Sequence, residues 1–487
     1  MILYLEITKN GDFEMNGKSA TSLFKKLFTG LLAACIACTI TACAQDTAET
    51  DKNNTVSVES QSEGVFIESK SNNQYEYDVY SNHIEITKYT GTETRVEIPS
   101  EIDDKPVTSI GEYTFSTHSS YLLSNYSPYE NCGLITSITI PNSITSIGEG
   151  AFFGCTSLTD ISIPAGVTSI ENYTFTDCSS LTGITISENV KSIGEKAFSG
   201  CTSLTSIDIP ECVTTIGEYV FEGCTSLAEI NISDNLTSVG AYAFDDTKWY
   251  SNQSDGLIYI GKSAYKYKGD MGKNTDIVLE DGTKEIASYA FMDCTSLTSI
   301  TIPDSVTAIG TNVFQNCSSL TSITIPNSIT ILESFAFCDC TSLEDVTIPD
   351  SVTTIKGGVF FNCESLVKID IPDSVTSIGY SAFESCDALT DINIPNKVTQ
   401  LEDYVFSGCT SLVSIDIPDS VTTLKGGAFY ECAKLKSVTI PESVTDIAKN
   451  AFVDENGKVL SKLTIYGKSD SYAEEYADYK NIPFEEL

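Results

Sequence analysis

A phrase of 23 residues, L-x-x-I-x-I-P-x-x-V-x-x-I-G-x-x-A-F-x-x-C, governs this chain from about residue 95 almost to its end. Its phenylalanine falls at 115, 152, 175, 198, 221, 244, 291, 314, 337, 360, 383, 406, 429 and 452, which makes 14 copies. One copy is too short to bury its own apolar residues, so like units must stack and cover one another. Within the phrase, I-x-I alternates with period two and is β-branched, which predicts a short strand with its isoleucines inward. The proline after it lacks an N–H and ends that strand's pairing, and the Asp or Asn and Ser that follow favour a turn. V-x-x-I returns across the core as a second strand, Gly permits a positive φ, and Ala-Phe sits on a short helical turn with the ring inside. The expected fold is a repeat solenoid, mainly β with short helical turns, of about 14 repeats.

Two intervals break the rhythm. Phe115 to Phe152 spans 37 residues and Phe244 to Phe291 spans 47, which places insertions at about 116–131 and 245–274. In the second, GLIYIGKSAYKYKG reads as two strands joined near Gly261 to Ser263. Before the repeats, YEYDVYSNHIEITKY alternates around Ser81 and Asn82 and predicts a hairpin within an N-terminal β cap, 65–94. The repeats span 95–466. After them, SDSYAEEYADYKN places Tyr472, Tyr476 and Tyr479 on one helical face, within a C-terminal helical cap, 467–487.

The first residues read as a targeting signal. Lys25 and Lys26 precede the apolar run LFTGLLAACIACTI, too short to span a bilayer of about 30 Å and flanked as a signal peptide is. ITAC at 40–43 resembles the lipobox of bacterial lipoproteins, which implies cleavage after residue 42 and diacylglycerol on Cys43. Residues 1–42 are therefore the expected signal peptide, with Met15 an alternative start, and 43–64 a polar, lipidated tether. With 67 acidic against 28 basic residues the chain carries a net charge of −39 and has one arginine, Arg95. Nucleic-acid binding leans on basic patches and arginine forks, so it is set aside.

The phrase, the GLIYIGK insertion and the TIYG ending before a tyrosine-rich helix resemble the BspA-like leucine-rich-repeat family of bacterial surface proteins over residues 75–487. That resemblance implies a leucine-rich-repeat right-handed coil. It also implies adhesion, through binding of host matrix or plasma proteins such as fibronectin and fibrinogen or attachment to other cells. It names no ligand for this chain.

Of 17 cysteines, 12 occupy one phase of the repeat: 132, 155, 178, 201, 224, 294, 317, 340, 363, 386, 409 and 432. A row in single file cannot close tetrahedrally on a metal ion. Stacked neighbours about 4.8 Å apart do fall in the window for a disulfide, and an exported protein meets oxidising surroundings. Seven thiols in the run from Cys294 to Cys432 cannot all pair, however, and small buried thiols pack well in tight turns. Packing is the favoured reading and disulfides the rival.

The residues beside the inward isoleucines line what should be a concave face, polar throughout and acidic at Asp345, Asp370, Asp391 and Asp416. The insertions offer aromatics: Tyr121, Tyr126 and Tyr129 in the first, Trp249, Tyr250, Tyr259, Tyr265 and Tyr267 in the second. Aromatics on loops that break a scaffold suit protein contacts, unless they pack back onto it. His83 and His118 are isolated and no nucleophile motif or phosphate loop is present, so no catalytic, cofactor or metal site is expected. The expected function is a lipid-anchored surface protein that binds host proteins or cells, reaching the membrane through its lipid alone. Glycan capture on the insertion aromatics and a passive envelope role are the alternatives.

Overall fold

The computed structural model describes residues 64–117 and 131–487. The expected signal peptide with Met15, Cys43, the tether up to residue 63, and Tyr121, Tyr126 and Tyr129 lie outside the described residues.

Each coil of the solenoid contributes two short strands, and strands of like phase pair in parallel one period apart. Asp160–Ser162 lies between Ser137–Thr139 and Gly183–Thr185. Ser169–Ile170 begins a ladder that continues through Ser192–Ile193, Thr215–Ile216 and Ser238–Val239. Strand alternation sends Ile161 and Ile163 into the core and leaves Asp160 and Ser162 in solvent. Between the two strands, the Val167 N–H closes the proline turn on the Pro164 carbonyl at 3.1 Å.

The Ala-Phe segment makes a third ladder. The N–H groups of Gly150, Phe152 and Gly154 donate to the carbonyls of Asn172, Thr174 and Thr176 in the next coil, at 2.9, 3.0 and 2.8 Å. The intervening Ala151 and Phe153 donate within their own coil. Such alternation requires left-handed backbone two residues before and two after the phenylalanine: Tyr173 and Asp177 in one coil, Tyr404 and Gly408 in another. Among the described residues helix is confined to Cys132–Leu134, Lys248–Ser251 and Tyr472–Lys480, outside this arc.

Glycine's role differs from the expectation. The glycines after V-x-x-I, such as Gly217, Gly240 and Gly379, do not have positive φ. A Cβ there would lie 2.3–2.6 Å from backbone of the preceding coil. The residue is small because two backbones approach closely, and the left-handed burden falls two residues later, on Tyr, Lys, Asn or Ser more often than on Gly.

The phenylalanines stack coil upon coil, with centroids 5.2–5.7 Å apart from Phe115 to Phe244 and 5.1–5.7 Å apart from Phe291 to Phe452. A tyrosine meets the column at three of its ends. Tyr89 stacks on Phe115 at 5.2 Å, Tyr265 meets Phe244 edge-on at 5.8 Å, and Tyr476 meets Phe452 at 6.0 Å. Each of these hydroxyls is hydrogen-bonded, so the apolar column ends on a ring that also satisfies polar groups at its edge.

At the N-terminal end, Phe66–Ser71, Tyr75–Tyr80 and Ile84–Tyr89 form an antiparallel sheet, and the last of these pairs in parallel with Lys105–Ile110. At the C-terminal end, Phe484–Glu486 pairs in parallel with Thr464–Gly467. The expected helix buries Ala473, Tyr476 and Ala477, while Tyr472 and Tyr479 stand in solvent. Small residues let the helix sit close, and only the central tyrosine reaches the column.

Candidate binding surface

The first strand of each coil turns two side chains outward, and these stay exposed or half-exposed along the stack. Asp345, Asp370, Asp391 and Asp416 are all exposed. Asp345, Lys368 and Asp391 share one column at intervals of 23 residues, with Lys368–Ile369 in register with Asp391–Ile392. Asp370, Asn393 and Asp416 share the neighbouring one. Two strand spacings put the carboxylates of each column about 9.6 Å apart. Between them stand a cation and an amide: Lys368 Nζ pairs with Asp370 Oδ1 at 3.1 Å, and Asn393 is engaged with the backbone of Ile371. A cation held by oxygens at about 2.3–2.6 Å could not touch both members of a column, so the four acids act as a diffuse field.

The second insertion is a splice in the stack. Thr247 caps the turn Lys248–Ser251 by accepting from the Tyr250 N–H at 3.0 Å. Gly256–Ile260 and Ser263–Lys268 form an antiparallel hairpin whose second strand pairs in parallel with Glu285–Ile286. Trp249 packs on Phe244 with centroids 5.5 Å apart and, with Tyr250, leans on the N-terminal core. Tyr259 and Tyr267 lean on the C-terminal core. Tyr265 is 2% exposed, donates to Asp245 Oδ1 at 2.6 Å and accepts from the Phe244 N–H at 3.1 Å. Burial holds its phenol well above the ordinary range. No ligand reaches it, whereas Trp249, Tyr250, Tyr259 and Tyr267 are half-buried and keep an exposed rim.

Two lysines fasten this splice. Lys266 pairs with Asp245 and lies 4.8 Å over the Tyr242 ring, and Lys268 donates to the carbonyls of Tyr250 and Ser251 at 3.0 and 2.8 Å. Beside them runs a feature missing from the sequence-based expectation, an outer column of Tyr219, Tyr242 and Tyr289 with centroids 5.3 and 5.0 Å apart. It crosses the splice without a break. Its signal in the sequence is a tyrosine two residues before the phenylalanine, diluted by Lys196, Asn312 and Ser381 at the same phase.

The cysteine row is buried in the third ladder. Cys178, Cys201 and Cys224 each donate through sulfur to the carbonyl of the phenylalanine 26 residues earlier, at 3.3, 3.2 and 3.1 Å, and Cys317 through Cys432 repeat the contact. That carbonyl already accepts the N–H of its own coil's cysteine, so the thiol fills its second lone pair. Burial pushes the Cys132 thiol up to about 11 and those of Cys294, Cys340 and Cys386 to about 12. Such thiols stay protonated and unreactive at neutral pH. None of the 14 cysteines among the described residues is in a disulfide, and Cys212 alone of these is exposed.

A leucine-rich repeat protein from Bacteroides ovatus is 26% identical, over 86% of this chain and 99% of that one, with a TM-score of 0.38. For a leucine rich cell surface protein from Faecalibacterium prausnitzii the figures are 28%, 84%, 97% and 0.32. The pneumococcal vaccine antigen PcpA is 15% identical, over 86% of this chain and 98% of that one, with a TM-score of 0.34. At those TM-scores the superpositions carry no weight. No curated protein matches the chain. The model of the BspA type leucine rich repeat region, in six copies, matches residues 123–250, 258–390 and 330–459. With those matches spanning well over half of its length, the chain belongs to the BspA-type leucine-rich repeat family.

Proposed function

We propose that this protein is an exported binding module, held at the cell surface by a lipid on Cys43, that recognises proteins of a host matrix, of plasma or of another cell and catalyses no reaction. The observation that carries this reading is the outward face of the first ladder, where two polar side chains per coil recur in register and remain open to solvent. Stacked repeats of this kind make extended surfaces suited to large partners. The half-buried rims of Trp249, Tyr250, Tyr259 and Tyr267 supply the aromatic contacts that a polar ladder lacks, and aromatic anchors dominate protein interfaces. Support for the anchor comes from the ITAC segment at 40–43.

The test is binding of the protein to immobilised matrix proteins, plasma proteins and a glycan array, with two variants alongside. One is Trp249→Ala with Tyr250→Ala, and the other neutralises Asp345, Asp370, Asp391 and Asp416 to Asn. Protein binding weakened at least tenfold by either variant places the site. Glycan binding without protein binding overturns the reading in favour of glycan capture, and no binding at all favours a passive envelope role.

A further inference from the structure

The last coil carries a short insertion of its own. Its strand pairs Thr464 with Ser437, 27 residues away, where the coil before pairs Ser437 with Ser414, 23 residues away. The extra residues form a tight turn, closed by a bridge between Val453 and Val459 and by Asp454, whose carboxylate accepts the N–H groups of Asn456 and Lys458 at 3.0 and 2.9 Å. Between the base of this turn and the segment that follows the C-terminal helix lies a recess of about 520 Å³. Lys458, Lys462 and Lys480 line it together with Ser461, Thr464 and Asn481, and none of its lining residues is acidic.

That composition runs against the whole molecule, whose net charge is −39. Several lysines elsewhere in the solenoid are matched: Lys356 with Glu333 at 3.0 Å, Lys425 with Glu402 at 2.7 Å, Lys368 with Asp370 at 3.1 Å. Among the described residues neither Lys458 nor Lys462 enters an ion pair, and Lys480 lies 5.3 Å over the Tyr479 ring. Within the turn the Asp454 carboxylate is spent on backbone N–H groups, and Glu455 does not line the recess. Three lysines line one concave site, with hydroxyl and amide side chains beside them, a composition that matches an oxyanion in charge and in hydrogen-bonding sense. The volume is that of a small-molecule site.

We propose that this recess binds an oxyanion-bearing small ligand, a carboxylate, sulfate or phosphate group, through Lys458, Lys462 and Lys480. Sources of that chemistry include the free inorganic ion and an acidic saccharide.

The experiment titrates the full-length protein with inorganic sulfate, inorganic phosphate and glucuronate by calorimetry, at constant ionic strength set with sodium chloride. A Lys458→Ala, Lys462→Ala double variant is titrated in parallel, and both lysines are exposed, so its melting temperature without ligand should equal the wild type's. Saturable binding by at least one of the three, weakened at least tenfold in the double variant, supports the site. The tightest of the three identifies the source. No saturable binding, or equal binding by wild type and variant, overturns it.

Discussion

The coils from Phe291 to Phe452 and the splice from Asp245 to Ala290 solve one problem by different means. In the coils each phenylalanine is covered by its copies above and below, nearly parallel and about 5.5 Å away, so a single side chain type suffices. In the splice the copies are missing. The column from Phe115 ends on Tyr265, the core divides into two clusters to which the neighbours Tyr265 and Ala264 belong, and polar groups take over the joining. Glu285 shows how: its carboxylate accepts from Ser238 Oγ, the Val239 N–H and Ser263 Oγ, all at 2.8 Å, tying three segments that no regular coil needs to tie. Repetition makes packing self-specifying, and an interruption must be specified residue by residue.

Breaking the splice should therefore differ in kind from breaking a coil. Tyr265→Ala and Phe360→Ala each remove a fully buried ring, at a cost of about 3–5 kcal/mol. Tyr265→Ala also removes the ring that covers Phe244 at the splice. Its urea denaturation, followed by circular dichroism, should resolve into two transitions, whereas Phe360→Ala should shift the curve without adding one. A single transition in Tyr265→Ala would mean that the bonds to Glu285 and the outer tyrosine column suffice to couple the stacks.

Within the regular coils the close backbone approach sets the next effect. Gly379→Ala drives a Cβ to 2.5 Å from the Gly357 nitrogen and should cost about 1–3 kcal/mol. Gly183→Ala, on a strand with nothing within 4 Å of the added carbon, should be neutral or stabilising by about 0.5 kcal/mol. The melting temperatures of the two variants read the contrast directly.

The cysteine row should be cheaper to alter. Cys363→Ala removes a donor to the Phe337 carbonyl, which keeps the Cys340 N–H at 3.2 Å, so the loss should be about 1 kcal/mol by chemical denaturation. A thiol reagent followed by mass mapping should modify Cys212 in the folded protein and the ladder cysteines only on unfolding.

How much of this was legible depends on what repeats. The isoleucine strands, the phenylalanine column and the solenoid follow from period and spacing, because 14 copies average out local exceptions. The hairpin Gly256–Ile260 and Ser263–Lys268 was legible from alternation around Gly261. The strand Phe66–Ser71 was not, since FIESKS is exposed along its whole length and has no buried alternate residues to read. The left-handed positions were not either. Tyr173, Lys196, Asp293 and Glu431 hold them without the glycine that would announce a positive φ, because ladder bonds from neighbouring coils offset a strain of about 1–2 kcal/mol per residue. At the candidate surface, the exposed acids were legible from strand phase. That Tyr265 is core while Tyr250 keeps a rim was not, because both are tyrosines in one irregular segment and only three-dimensional packing separates them.

The smallest expected effect is a pH dependence set by Glu285 in the splice. Burial raises the Glu285 carboxyl above its ordinary value, and the bonds from Val239, Ser263 and Ser238 pull it only part of the way back. Between the unfolded value near 4.5 and the higher folded value, the folded protein holds more of this proton than the unfolded chain. Glu285's contribution is thus fully present below that window and declines as pH rises through it. Glu285→Gln keeps an acceptor for the Val239 N–H and cannot ionise, so it removes the slope. Denaturation of both proteins from pH 4 to pH 8 should show the wild type losing stability relative to the variant as pH rises. A difference between wild type and Glu285→Gln that stays flat across that range would mean that the three donors stabilise the carboxylate enough to cancel the cost of its burial, and the splice would then be joined as firmly by charge as the coils are by stacking.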